Sequence, residues 1–199
     1  MATINYKLIK NYFSKEELDI LQKYCYKKLD LNQDFQVDTQ SFSPSWYEDS
    51  LMNSLLETKL SKVEQETNLK LLPTYAYWRY YVLGATLKKH TDRPACEISV
   101  TACIKKYDNW PIIVNDSSFE LEEGDAVLYA GCIQEHYRPS VYKGEGMAQV
   151  FFHYVNKEGP FVHHSYDRYL KETNEKYSEK DKEIIKKLKG EKYENTSNK

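Results

Sequence analysis

The sequence predicts a mainly β chain, closed as a barrel or sandwich and flanked by helices. Three observations predict it. From residue 71 to 157, short β-branched or aromatic runs are separated by Gly, Asn, Asp or Pro. Before residue 70, apolar residues recur instead at helical spacing. The 199 residues also include 18 tyrosines, which suit pleated faces and semi-polar cavities better than a purely greasy core.

Residues 1–70 read as helical support. In "FSKEELDILQKYCYKKL", Ser14 and Glu17 stand three apart as a capping box, and Leu18, Leu21, Cys25 and Leu29 then follow helical spacing. A second helix is expected from about Tyr47 to Glu66, through Leu51, Leu55 and Val63, after the Pro-containing turn "SPS". The runs "TYAYWRYYVL", "CEISVTACIK", "WPIIVN", "SSFEL", "DAVLYA" and "MAQVFFHYV" then supply the strands of a core over 71–157. These parts make one domain, residues 1–170. Residues 171–199 read as a charged helical or disordered tail with a solvated face.

Charge and composition exclude several function classes. A net charge of −2 offers no general attraction to phosphate backbones, so no nucleic-acid partner is expected. No run approaches the ~20 apolar residues of a membrane helix, and "MATINYKLIKNYF" lacks the apolar core of a signal peptide. Cys25, Cys96, Cys103 and Cys132 have no CxxC spacing, which suits free thiols in a reducing cytoplasm. Oligomeric state leaves no signature.

The stretch "LKKHTDRPACEIS" holds the chemistry. His90 and Asp92 are two apart, so on a strand both side chains share a face and can reach one centre. The plain alternative is a His–Asp hydrogen bond on a turn. Two ligands hold a metal poorly, and the candidates for a third are His136, His153, His163 and His164. His136 is favoured because it follows a Gly-Asp turn, a strand and a small-residue bend that return the chain toward an earlier strand. His163 and His164 lie past the last strand and look peripheral. Two imidazoles and one carboxylate form the facial triad of non-haem Fe(II) oxygenases, which leaves coordination positions open.

The segments "YAYWRYYVLGATLKKHTDRPACEISVTACI" and "LEEGDAVLYAGCIQEHYRPSVYKGEGMAQVFFHYV" resemble the 2-oxoglutarate- and Fe(II)-dependent oxygenases, on the prolyl-4-hydroxylase-like side. The resemblance spans roughly residues 70–157. It implies a double-stranded β-helix, a distorted jelly-roll barrel with N-terminal helices packed on it. It also implies Fe(II), 2-oxoglutarate and O2 as cofactors, with ascorbate a candidate reductant, and decarboxylation to succinate and CO2 coupled to hydroxylation of an unactivated C–H bond. By the motif, His90, Asp92 and His136 would be the iron ligands.

In such enzymes a tyrosine nine residues before the first His binds 2-oxoglutarate, which here is Tyr81, on the parity shared by Arg79 and Tyr77; the bland reading is that Tyr81 packs the barrel. A Lys or Arg about ten residues after the distal His would hold the far carboxylate, but that position is Gly146. Arg138 is the favoured substitute, being two past His136 and so facing inward on a continuing strand; a guanidinium grips a carboxylate in a fork. Lys143 and Arg93 are the other candidates. Gln149 and His153 share a parity that could line the same cavity, although a hydrogen-bonded core histidine is the commoner fate. Arg93, Trp78, Trp110 and tyrosines are expected to rim the cavity, with Arg93 and Trp110 as substrate contacts. The expected partner is a small molecule or peptide, with peptidyl or free prolyl or amino-acid hydroxylation first. A cupin-like metal sensor and a degenerate interaction module remain as alternatives.

Overall fold

Helix α1 (Lys15–Asp30) starts where the Ser14–Glu17 pair predicts. Glu17 N–H donates to Ser14 Oγ at 3.2 Å, and Ser14 N–H donates to the Glu17 carboxylate at 2.8 Å, so two otherwise orphaned donors are satisfied. Leu21 and Cys25 are buried on its inner face. The structure is a computed structural model that describes residues 4–31 and 34–196.

The second expected helix is corrected at its start and in its middle. Tyr47 belongs to strand β3 (Pro44–Tyr47), which follows the two-residue β2 (Gln36–Val37). Helix α2 (Ser50–Thr58) then begins on Asp49, whose carboxylate accepts from Leu51 and Met52 N–H. Lys59 joins it to α3 (Leu60–Thr67), which ends on a left-handed Asn68. A short β1 (Lys7–Ile9) precedes α1, so residues 1–70 are not wholly helical. These strands are too brief to show a period of two, and pairing with distant strands makes them.

The remaining strands are β4 (Leu71–Val82), β5 (Ile98–Lys106), β6 (Ile112–Val114), β7 (Ser117–Phe119), β8 (Ala126–Tyr129), β9 (His136–Tyr137) and β10 (Gly146–Asn156). A seven-stranded sheet runs β1-β8-β5-β10-β4-β3-β2, and a three-stranded sheet runs β7-β6-β9. All the pairings are antiparallel. This is the double-stranded β-helix arrangement, with helices on the outside of the larger sheet.

Alternation along β4 and β10 sorts the two faces. Trp78, Val150, Phe152 and Tyr154 join Met52, Leu56 and Val63 of the helices in the main core. Trp78 stacks on Trp46 with centroids 3.8 Å apart, so it is not at the cavity rim as expected from sequence. Tyr75, Tyr77, Arg79, Tyr81, Gln149, Phe151 and His153 face the opposite way and line a cavity of about 610 Å³ between the sheets.

Past β10 lie a kinked segment Val162–Asp167, helix α4 (Arg168–Thr173) and helix α5 (Glu179–Thr196). The reading of residues 171–199 as a solvated tail needs correction. Ile184, Ile185 and Leu188 pack on buried Cys132, Val155 and Phe161. The final polar residues 197–199 lie outside the described residues. The four cysteines are buried and free. Among the described residues no helix is long and apolar enough to cross a membrane.

Candidate metal centre and co-substrate cavity

His90 and Asp92 are not on a continuous strand. His90 makes an isolated antiparallel bridge to His136: His90 N–H donates to His136 O at 3.2 Å, and His136 N–H donates to His90 O at 2.9 Å. Asp92 N–H donates to Gly131 O at 2.9 Å, and a 3-10 turn Pro94–Cys96 follows. Backbone bonds to one distant stretch, residues 131–136, therefore bring the three side chains together. Asp92 Oδ1 is 3.6 Å from His90 Nε2, and Asp92 Oδ2 is 3.4 Å from His136 Nε2.

Both rings are oriented by main-chain carbonyls. His90 Nδ1 is 2.7 Å from Lys88 O, and His136 Nδ1 is 3.0 Å from Gln134 O. A carbonyl only accepts, so each Nδ1 carries a hydrogen, and each Nε2 is the ring atom that faces Asp92. Such a bond to the second ring nitrogen is the usual support of a metal-bound histidine. The three ligand atoms lie within 4.8 Å of one another. The donor set fits a divalent iron with open positions.

The electrostatics agree with this arrangement. Burial pushes the Asp92 carboxyl up, but His136 beside it, with His153 and His90, outweighs that and holds it well below the usual carboxylate range. Burial and then the neighbouring His136 lower His90. For His136 burial acts downward, and Asp92 reverses it into a net rise. His153 is buried, sits 3.0 Å through Nδ1 from Ser99 Oγ, and is pushed down by burial to about 4. It is thus both a cavity wall and a hydrogen-bonded interior histidine.

Arg138 is 5% exposed and lines the cavity. It donates to Trp110 O, and to Gln149 Oε1 at 2.6 Å, while its Nε has no partner. Its Cζ is 4.6 Å from the Trp110 ring and 5.7 Å from Tyr81. Among the described residues no carboxylate pairs with it, and burial depresses its pKa. A buried guanidinium without a counter-ion is costly unless a ligand supplies the anion. Lys143 is exposed, and Gly146 lies on the outward parity of β10, where an added Cβ would strike the Tyr80 ring.

Arg79 is the cation that sequence reasoning passed over. It too lines the cavity at 5% exposure, but it is paired: Nη2 lies 2.9 Å from Asp38 Oδ2, and Nη1 donates to Tyr81 Oη at 2.9 Å. Burial raises the Asp38 carboxyl, and Arg79 together with the hydrogen bonds from Ser41 and Tyr77 brings it below its ordinary value. Its parity with Tyr81 and Tyr77 was the available signal; nothing local marked Asp38 as its partner. Tyr81 is fully buried between the two arginines.

The two expected substrate contacts differ. Arg93 lines the cavity, with Nη1 and Nη2 donating to Asp167 at 2.5 and 2.8 Å, and its Cζ 4.3 Å from the Tyr75 ring. Trp110 does not line it. Trp110 packs against Tyr81, Tyr142 and Met147 and donates through Nε1 to Ser140 O at 2.8 Å, so it backs Arg138 and Tyr81. His163 and His164 do not join the triad and meet Asp181 instead.

No family model matches the chain, and no curated protein does. Solved structures do. A viral collagen prolyl hydroxylase from Paramecium bursaria Chlorella virus-1, in complex with 2-oxoglutarate, aligns at TM-score 0.57 and 12% identity over 75% of this chain and 94% of its own. SnoN, a non-haem α-ketoglutarate-dependent epimerase from nogalamycin biosynthesis, aligns at 0.64 and 10%, over 76% and 77%. HygX from Streptomyces hygroscopicus, with nickel, 2-oxoglutarate and hygromycin B bound, aligns at 0.60 and 11%, over 78% and 84%. The fold is the one these 2-oxoglutarate oxygenases share.

Proposed function

We propose that this protein is a 2-oxoglutarate- and Fe(II)-dependent dioxygenase that hydroxylates an unactivated C–H bond, and that His90, Asp92 and His136 hold the iron. The observation that carries the reading is the pairing of this triad with Arg138, a buried cation in the same cavity with no counter-ion among the described residues. A metal sensor has no need of a buried anion-binding guanidinium, which favours the enzyme over the cupin-like alternative.

Bound iron with 2-oxoglutarate and O2 would supply the oxidation, releasing succinate and CO2. The chain's own part is to bind, orient and exclude water. Arg138, held by Trp110 O and Gln149, would fork the far carboxylate of 2-oxoglutarate, with the Tyr81 hydroxyl as a further donor. Lys88 O and Gln134 O would keep both imidazoles in the ligating tautomer. The substrate would enter beside Tyr77, Arg93 and the Arg79–Asp38 pair. This polar, tyrosine-rich wall suits a peptidyl or free prolyl or amino-acid substrate. The epimerase among the structures of the same fold makes product analysis part of any test.

Anaerobic Fe(II) with 2-oxoglutarate should give a visible charge-transfer band, and succinate release should rise with proline-containing peptides or free amino acids. Arg138→Ala should raise the KM for 2-oxoglutarate by about 100-fold or more, the loss of roughly 3 kcal/mol expected when a charged hydrogen-bonded pair is broken. Fe(II) affinity should stay nearly unchanged. An unaltered KM in this variant would move the role to Arg79 or Arg93.

A further inference from the structure

A second cluster of metal-ligating side chains lies outside this cavity. His163, in the kinked segment after β10, and His164 beside it face Asp181 from the first turn of α5. His163 Nε2 is 3.2 Å from Asp181 Oδ1, and His164 Nε2 is 3.1 Å from Asp181 Oδ2. His164 and Asp181 are fully buried, while His163 is about a third exposed. We propose that His163, His164 and Asp181 form a second site, for a tetrahedral divalent ion of the zinc class, that fastens α5 to the barrel.

Metal–ligand bonds of about 2.0–2.2 Å at tetrahedral angles set neighbouring donors ~3.3–3.5 Å apart; His163 Nε2 stands 3.2 Å from Oδ1, and one ligand atom from each of the three residues lies within 4.8 Å of the others. The carboxylate has the right division of labour. Oδ2 accepts from Ser178 N–H and Ser178 Oγ, both at 2.7 Å, completing a capping box in which Ser178 Oγ accepts from Asp181 N–H, and His164 Nε2 is also within hydrogen-bond distance of it. Oδ1 is buried and has no hydrogen-bond partner among the described residues, although it sits beside the His163 ring. A buried carboxylate oxygen in that state calls for a cation. The imidazoles lie with centroids 4.4 Å apart, an arrangement that disfavours two imidazoliums and suits two neutral ligands. Tyr169 packs on both rings, and a water reaching in from the exposed side of His163 would be the fourth ligand.

The consequence reaches the cavity. Lys176 and Tyr177, just before the cap of α5, form part of the cavity wall. An ion on His163, His164 and Asp181 would fix that wall by clamping the chain on both sides of it.

The test uses the full chain carrying His90→Ala and Asp92→Ala, so that the first cluster cannot hold metal. Titration with Zn(II) against a competing chelator should give about one equivalent, and Co(II) should give intense tetrahedral-type visible bands. Adding His163→Ala, an exposed change that leaves the helix cap intact, should weaken binding by more than about 100-fold, beyond what losing a supporting contact costs. Asp181→Asn, which retains an oxygen to cap α5, should do the same. Absence of a stoichiometric site, or binding unaffected by His163→Ala, overturns the proposal.

Discussion

Gly131 is where a single atom decides the geometry of the triad. A Cβ there would stand 2.7 Å from Cys96 O and 2.9 Å from Asp92 Oδ2, and would also strike Ser99 Oγ. Its carbonyl meanwhile accepts from Asp92 N–H. Gly131→Ala should therefore displace the carboxylate, costing about 1–3 kcal/mol of stability and at least about tenfold in Fe(II) affinity. Urea unfolding and Fe(II) titration read the two effects separately. Glu97 offers a second prediction. Burial raises its carboxyl from the ordinary 4.5 to about 7, against the one Asn156 N–H it accepts. The folded form then binds a proton more tightly than the unfolded one, so this contribution is complete below pH 4.5 and lost as pH rises through 7. Glu97→Gln keeps an acceptor and should flatten the fall in urea midpoint between pH 5 and pH 8. Equal slopes in the two proteins would remove Glu97 from the pH response.

At the scale of elements, β4 and β10 divide core from cavity by alternation alone, and the helices lock their outer face. Asp49 is the joint of that lock. It caps α2 through Leu51 and Met52 N–H at 3.1 and 3.2 Å and accepts from Tyr24 Oη of α1 at 2.6 Å. Asp49→Ala should cost about 2 kcal/mol, the upper end for a lost cap, and lower Tm by roughly 4–8 °C in a chain of this size. Fe(II) binding at room temperature should be unchanged, since Asp49 touches nothing in the cavity. A variant as stable as the parent would mean that packing alone seats α2.

At the scale of the molecule, the C-terminal helix is part of the barrel's exterior. Removing residues 175–199 would expose Cys132, Val155 and Phe161 and take Tyr177 from the cavity wall. With burial of an aliphatic side chain contributing up to about 1.5–3 kcal/mol, loss of the half-buried Ile184, Ile185 and Leu188 should cost several. The shortened chain should melt lower and bind a hydrophobic dye at room temperature. Unchanged melting would make α5 an ornament. The stripe was legible: Asp181, Ile184, Ile185 and Leu188 stand at helical spacing, but the lysines between them read as a solvated face.

The amino-acid order by itself determined the capping box, the strand runs, and the inward parity of Tyr77, Arg79 and Tyr81, because these depend on backbone periods that neighbouring residues carry. It also marked His90, Asp92 and His136 as candidates for one centre. Only the tertiary structure decided how they meet, through a His90–His136 bridge and a Gly131 contact instead of a continuous strand. It alone separated the arginines, pairing Arg79 with Asp38 and Arg93 with Asp167 while bringing no acid of the described residues to Arg138. It likewise joined His163 and His164 to Asp181 across a turn of chain. Periodicity is local, whereas the counter-ion of a buried charge comes from whichever segment the fold brings beside it.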